Sequence, residues 1–267
     1  MIADRQPGCN AAARGPGFPG PGFARTIGDG MNDGGADMNG LQIPASVTDR
    51  VVARCGVEHP HSDLDPRKTA LVVVDLQNAF MHDDIGHAVC PAARDIVPEV
   101  NRLAATVRAT GGGVFWIKNT YDERSAIEWS NMDAMVTQEA RRRRVAAMSE
   151  GTKGHELWPD LDVRPEDEIV RKYRFSAFLP GTSELPYRLR ARGFDTVLIT
   201  GTVTNVCCES SARDAMMSNF KTIMVTDANA AMTPEEHQAS LIAFYLIFGD
   251  VMDTDFAIRR LTRNKLG

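Results

Sequence analysis

Three side chains with strong chemistry stand at or just past the ends of short apolar runs. Asp75 follows Val72-Val73-Val74, Lys172 follows Val170-Arg171, and Cys207 closes Gly201-Thr202-Val203-Thr204-Asn205-Val206. In an open α/β sheet the carboxyl ends of the strands face the crevice where ligands bind. A carboxylate, an ammonium and a thiol converging there make a nucleophile with a proton acceptor beside it. Cys207 also stands where a helix is expected to begin. The unpaired N–H groups and dipole of a helix N-terminus stabilise a thiolate and can receive an oxyanion. Each residue alone has a plainer reading. A free cysteine is most often a packing residue, an aspartate at a strand end can be exposed or a cap, and a lysine there can be a solvated charge.

The elements that would bring the three together follow from periodicity. Thr69–Asp75 is a short β-branched run suited to a strand buried on both faces. Further strands are expected at 114–118, 168–170, 196–200 and 221–225. Ala92–Thr110 has helical spacing through Ile96, Val100, Leu103 and Val107 and stops at Gly111-Gly112-Gly113. Other helices are expected at 133–148, 183–192, 206–219, 234–248 and 253–261. Strand and helix alternate, which implies a parallel sheet covered by helices on both faces, with right-handed crossovers. Neither GxGxxG after the first strand nor GxxxxGK[ST] occurs, so dinucleotide and P-loop readings lack support.

Bulk composition narrows the classes. A net charge of -5 over 267 residues argues against a nucleic-acid partner. No run approaches the roughly 20 apolar residues of a membrane span, and the N-terminus lacks a signal-peptide core. The cysteines, Cys9, Cys55, Cys90, Cys207 and Cys208, are odd in number and irregular in spacing, which fits neither a disulfide framework nor a structural zinc site. A reducing, cytoplasmic home is expected. Residues 1–40, rich in Gly, Pro, Asn and Asp, are expected to form a disordered tail. Residues 41–65 read as a lead-in and 66–267 as one folded domain.

The three segments together resemble the isochorismatase-like cysteine hydrolases, which include nicotinamidases, N-carbamoylsarcosine amidohydrolases and ureidoacrylate amidohydrolases. The resemblance covers about residues 66–262. It rests on Ala70-Leu71-Val72-Val73-Val74-Asp75-Leu76-Gln77, on Lys172-Tyr173-Arg174-Phe175-Ser176-Ala177-Phe178, and on Gly201-Thr202-Val203-Thr204-Asn205-Val206-Cys207-Cys208-Glu209-Ser210. It implies a three-layer α/β/α sandwich with a mostly parallel, six-stranded sheet. Asp75 would be the proton acceptor, Cys207 the nucleophile and Lys172 the charge between them. A cis peptide would join Thr202 and Val203, turning N–H groups toward an oxyanion.

Position after Thr-Asn-Val selects Cys207 over Cys208, which reads as a packing residue. The expected reaction is therefore metal-independent hydrolysis of a C–N bond in a small amide, ureido or N-carbamoyl substrate, through a covalent intermediate on Cys207. The alternatives are vinyl-ether hydrolysis of the isochorismatase type and a catalytically silent binding module. Nicotinamidases of this family carry an Asp-x-His metal set after the second strand. Lys118-Asn119-Thr120-Tyr121-Asp122-Glu123 has no histidine there, and His82 and His87 are poorly spaced as a pair, so no metal or cofactor is expected. That segment is most similar to the ureidoacrylate branch. Gln77, Phe80, Asn119, Tyr121 and Trp129 are expected to line the substrate pocket. The run Arg141 to Arg144 reads as a solvated helix face that could turn one arginine toward an anionic substrate. A homodimer or homotetramer is implied by the resemblance.

Overall fold

In the computed structural model, which describes residues 43–263, β1 (Thr69–Val74) is buried along its whole length at the centre of the sheet. Its side chains alternate between two cores, as strand geometry requires. Leu71 and Val73 face one, with Val114, Trp116, Leu198, Ile223 and Val225. Ala70, Val72 and Val74 face the other, with Phe115, Ile117, Val197, Ile199 and Met224.

The remaining elements follow in chain order around that strand. Before it comes α1 (Ala45–Cys55). After it come α2 (Asn78–Met81), α3 (Val97–Ala109), β2 (Gly113–Asn119), α4 (Glu123–Glu128), α5 (Ser130–Ala134) and α6 (Gln138–Met148). The second half holds β3 (Glu168–Lys172), α7 (Leu185–Ala191), β4 (Thr196–Thr202), α8 (Glu209–Met217), β5 (Lys221–Ala230), α9 (Pro234–Ile247), β6 (Asp250–Met252) and α10 (Thr254–Arg263).

The sheet is six-stranded, ordered β3-β2-β1-β4-β5-β6, with every pairing parallel. Helices cover both faces, so the expected α/β/α sandwich is what forms. Helices α3 and α10 contribute to the first core, and α1, α7, α8 and α9 to the second. From β1 the chain winds outward through β2 to β3. From β4 it winds the other way through β5 to β6. The reversal falls between β1 and β4, and the crevice at such a switch point is where ligands of open α/β sheets bind.

Several boundaries differ from the sequence expectation. The lead-in contains α1, whose Val47 and Val51, four residues apart, bury one face against α9. The helix expected over 133–148 is two helices. It breaks at Met135–Thr137, and the Thr137 side chain accepts from Ala140 N at 3.1 Å to start α6. Strand β5 runs five residues past Val225, and β6, only three residues long, carries too little pattern to be read. The tail expected over residues 1–40 lies outside the described residues.

Candidate active site

Strand register brings Asp75, Lys172 and Cys207 to one place. Asp75 follows β1 directly and its N–H donates to Ile117 O on β2 at 3.1 Å. Its φ is 56°, the left-handed region that L-residues seldom occupy and aspartate tolerates better than most. Lys172 ends β3 opposite Asn119, the last residue of β2. Its Nζ lies 2.8 Å from Asp75 Oδ2 and donates to Arg174 O at 3.0 Å. Both charged side chains are fully buried. The Cys207 thiol and the Asn119 side chain also lie against the Asp75 carboxyl.

The close approach of β4 to β1 is set by Gly201. Its φ is 117°, and a Cβ there would overlap Val74 O. Only glycine fits that contact. The chain then passes the Thr202–Val203 peptide, which is cis, and enters a π-helical turn over Thr204–Cys208 before α8. The π turn replaces the ordinary helix start expected at Val206. Such turns are rare and recur at functional sites. The turn is pinned from outside: Ser211 Oγ donates to Cys207 O at 2.6 Å and accepts from Ala177 N at 3.0 Å. Thr204 Oγ1 lies 2.9 Å from His237 Nδ1. Cys208 is fully buried, with Sγ turned toward Thr200 O at 3.9 Å.

Burial dominates the electrostatics. It raises the Asp75 carboxyl, against the pull of Lys172, Cys207 and Asn119. It opposes charge on Lys172, but Asp75 and Cys207 outweigh it and leave the ammonium harder to deprotonate than usual. Burial also pushes the Cys207 thiol up to about 12, with Lys172 lowering it and Asp75 raising it further. The expected depression at a helix start does not occur. Desolvation and a carboxylate at hand outweigh the dipole. At rest Cys207 is a thiol beside a buried ion pair.

Cys207 opens onto a cavity of about 300 Å³. Four of the five expected pocket residues, Phe80, Asn119, Tyr121 and Trp129, line it, together with Val203 of the cis peptide. Gln77 does not. Its side chain is fully buried and committed: Nε2 donates to Asn119 O at 3.3 Å and His155 O at 3.1 Å, and Oε1 accepts from Asn119 N at 2.7 Å. It clips the loop after β1 to the end of β2, so both of its N–H donors are used within the fold.

The cavity wall also holds Met132, Tyr173, Phe175 and Met232, which the sequence reading did not assign to it, and Arg144, from the run expected to be a solvated helix face that could turn one arginine toward an anionic substrate. Three of these had a legible signal. Tyr173 and Phe175 flank Arg174 directly after Lys172. Arg144 shares a helix face with the buried Ala147 and Met148, three and four residues on. Among the described residues, no group of three or more His, Cys, Asp or Glu is placed to share a metal ion. No described helix is long and apolar enough to cross a membrane.

Comparison with known proteins agrees with this fold. The isochorismatase domain profile matches residues 69–256. The chain belongs to the isochorismatase family. It is 31% identical to a ureidoacrylate amidohydrolase of Methylobacterium radiotolerans over 204 residues, 71% of this chain and 78% of the relative. A ureidoacrylate amidohydrolase of Caulobacter vibrioides is also 31% identical, over 72% of this chain and 90% of its own. A solved cysteine hydrolase from Pseudomonas syringae pv. phaseolicola superposes with a TM-score of 0.64 at 29% identity, covering 76% of this chain and 96% of that one. N-carbamoylsarcosine amidase from Thermoplasma acidophilum gives 0.55 at 28% identity, covering 70% and 97%.

Proposed function

We propose that this protein is a cysteine amidohydrolase acting on the C–N bond of a small amide, ureido or N-carbamoyl compound. The observation that carries this reading is the buried Asp75–Lys172 pair beside the Cys207 thiol at the wall of a cavity. Amidohydrolase relatives in the same family support it.

The Cys207 thiol passes its proton to Asp75 as Sγ attacks the carbonyl carbon. The oxyanion settles toward the backbone N–H groups of Val203 and Cys207. Asp75 then gives its proton to the departing nitrogen, and ammonia or an amine leaves. A thioester or thiocarbamate remains on Cys207. Water, losing a proton to Asp75, attacks it, and the C–S bond breaks as the Asp75 carboxylic acid gives that proton to the Cys207 sulfur, restoring the thiol. Lys172 keeps the carboxylate in place and offsets the negative charge when it moves to sulfur. No step calls on a metal.

Ammonia release tests this directly. The panel is ureidoacrylate, N-carbamoyl amino acids, maleamate and nicotinamide, with wild-type and Cys207→Ala protein and no added metal. Turnover of at least one compound that disappears in Cys207→Ala is expected. Pyruvate from isochorismate without ammonia from any amide would replace this reading with vinyl-ether hydrolysis. Inactivity toward all of them would favour a silent binding module.

We propose further that the chain assembles as a homodimer or homotetramer. Ile127 and Met135, 79% and 81% exposed, are apolar surface available to such contacts. Sedimentation at a single monomer mass would refute this.

A further inference from the structure

Two polar atoms on the cavity wall are buried with no partner: Nε of Arg144 and Nε2 of His87. Buried polar atoms without partners are rare in folded proteins, and a cavity that holds two of them is built for something that supplies the partners. They come from different elements, α6 and the loop after α2. Arg143 ties those elements together by donating to Gly86 O at 3.1 Å.

The Arg144 side chain is only 10% exposed and stacks on Tyr121, its Cζ 5.4 Å from the ring centroid. Its other side meets Asp133, but that carboxylate also pairs with Arg141 Nε at 2.8 Å. One carboxylate thus serves two guanidiniums, and a positive charge remains uncompensated. His87 cannot add to it. Burial, and then the neighbouring Arg144 and Arg143, lower its pKa to about 4, so it stays neutral and can donate from Nε2. Glu236 also reaches the cavity, but it is exposed and accepts from Thr233 N at 3.3 Å in its own helix cap.

We propose that Arg144 and His87 together anchor a carboxylate on the substrate, which makes the substrate a small ureido or N-carbamoyl acid rather than a neutral amide. Arg144 supplies the charge and the Nε–H, His87 the second donor, and Tyr121 holds the guanidinium plane. The inference rests on the amidohydrolase reading for the reaction, though not for the binding.

The test compares ureidoacrylate with its methyl ester. Wild-type protein should favour the acid in kcat/KM. In Arg144→Gln that acid-over-ester preference should fall about 10–100-fold, mainly through KM, the range for a lost charge-assisted hydrogen bond. Arg144→Lys should restore part of it, and His87→Ala should lower it by about 5-fold. An equal loss on both compounds in Arg144→Gln would make Arg144 a structural residue and overturn the proposal, as would a wild type without preference. Should neither compound release ammonia, the amidohydrolase reading is in question instead. Calorimetric titration of both into Cys207→Ala protein then decides the anchor. Binding of the acid alone, weakened by adding Arg144→Gln, upholds it; equal or absent binding overturns it.

Discussion

The Cys207 end of the cavity hangs from strands, whereas the Arg144 end is carried by short helices and loops. At the first, Asp75, Lys172, Asn119 and Cys207 are placed by the ends of four parallel strands, all buried, with Gly201 closing the gap between β1 and β4. At the second, Tyr121, Trp129, Met132 and Arg144 stand on or beside α4, α5 and α6, of six, five and eleven residues. Their contacts are ring edges and stacked guanidiniums: Trp129 meets Phe175 at 4.8 Å, and Arg174 lies 5.3 Å over Trp129. Strand register leaves an atom no freedom to move without the sheet. Short helices can shift and repack. On the proposed function, chemistry is held by the rigid part, and recognition is delegated to the part that can vary without disturbing it.

That division can be broken at its strongest point. Asp75→Asn keeps a side chain suited to the left-handed backbone but removes the proposed proton acceptor. Turnover should fall by about 10²–10⁴-fold with the fold intact by circular dichroism. The same variant has a second readout. Asp75 raises the Cys207 thiol and Lys172 lowers it. Without the carboxylate the thiol pKa falls, so iodoacetamide should alkylate Cys207 faster at pH 8 than in wild type. In wild type, with the thiol near 12, the rate should keep rising through pH 10 with no plateau near the ordinary value of about 8.5. Slower alkylation in the variant would mean that Asp75 does not face the thiol as a charge.

Lys172→Ala should be the costliest change to the fold. It leaves a buried carboxylate without its partner, and urea unfolding should register a loss of about 3–5 kcal/mol. A loss under about 1 kcal/mol would mean that the pair is wetter and looser than the strand end implies. On the recognition side, Trp129→Ala should raise KM about 3–10-fold and leave kcat within a few-fold, through loss of one aromatic wall. A kcat effect as large as that of Asp75→Asn would erase the distinction between the two ends. Cys208→Ala should be the mildest: activity within about twofold of wild type and stability lower by about 1 kcal/mol, measured in the same urea series.

How much of this could be read in the sequence follows the same line. The strands near the site are short, β-branched and buried on both faces, so β1 and β4 stand out, and the residues at their ends with them. What depends on tertiary neighbours was not legible. Gln77 looks like a pocket residue because it follows Asp75 by two, but its amide closes on Asn119 and His155, distant in sequence. Strand β6 is three residues long and exists because β5 offers an edge. The break before α6 depends on one threonine cap. Cys207 stands where a helix start would favour the thiolate, but whether the dipole or burial wins is decided by surroundings that no local pattern encodes.

The buried Lys172 ammonium has a consequence for the whole reaction cycle. When the proton moves from sulfur to Asp75, the negative charge changes its atom, but the sum over the three groups stays at zero. The three groups therefore need no counter-ion from outside for the proton to move between them. On the proposed mechanism, the chemical step should be nearly indifferent to added salt, because screening acts weakly on charges enclosed this deeply. Any ionic-strength dependence should appear in capture of the substrate rather than in its conversion.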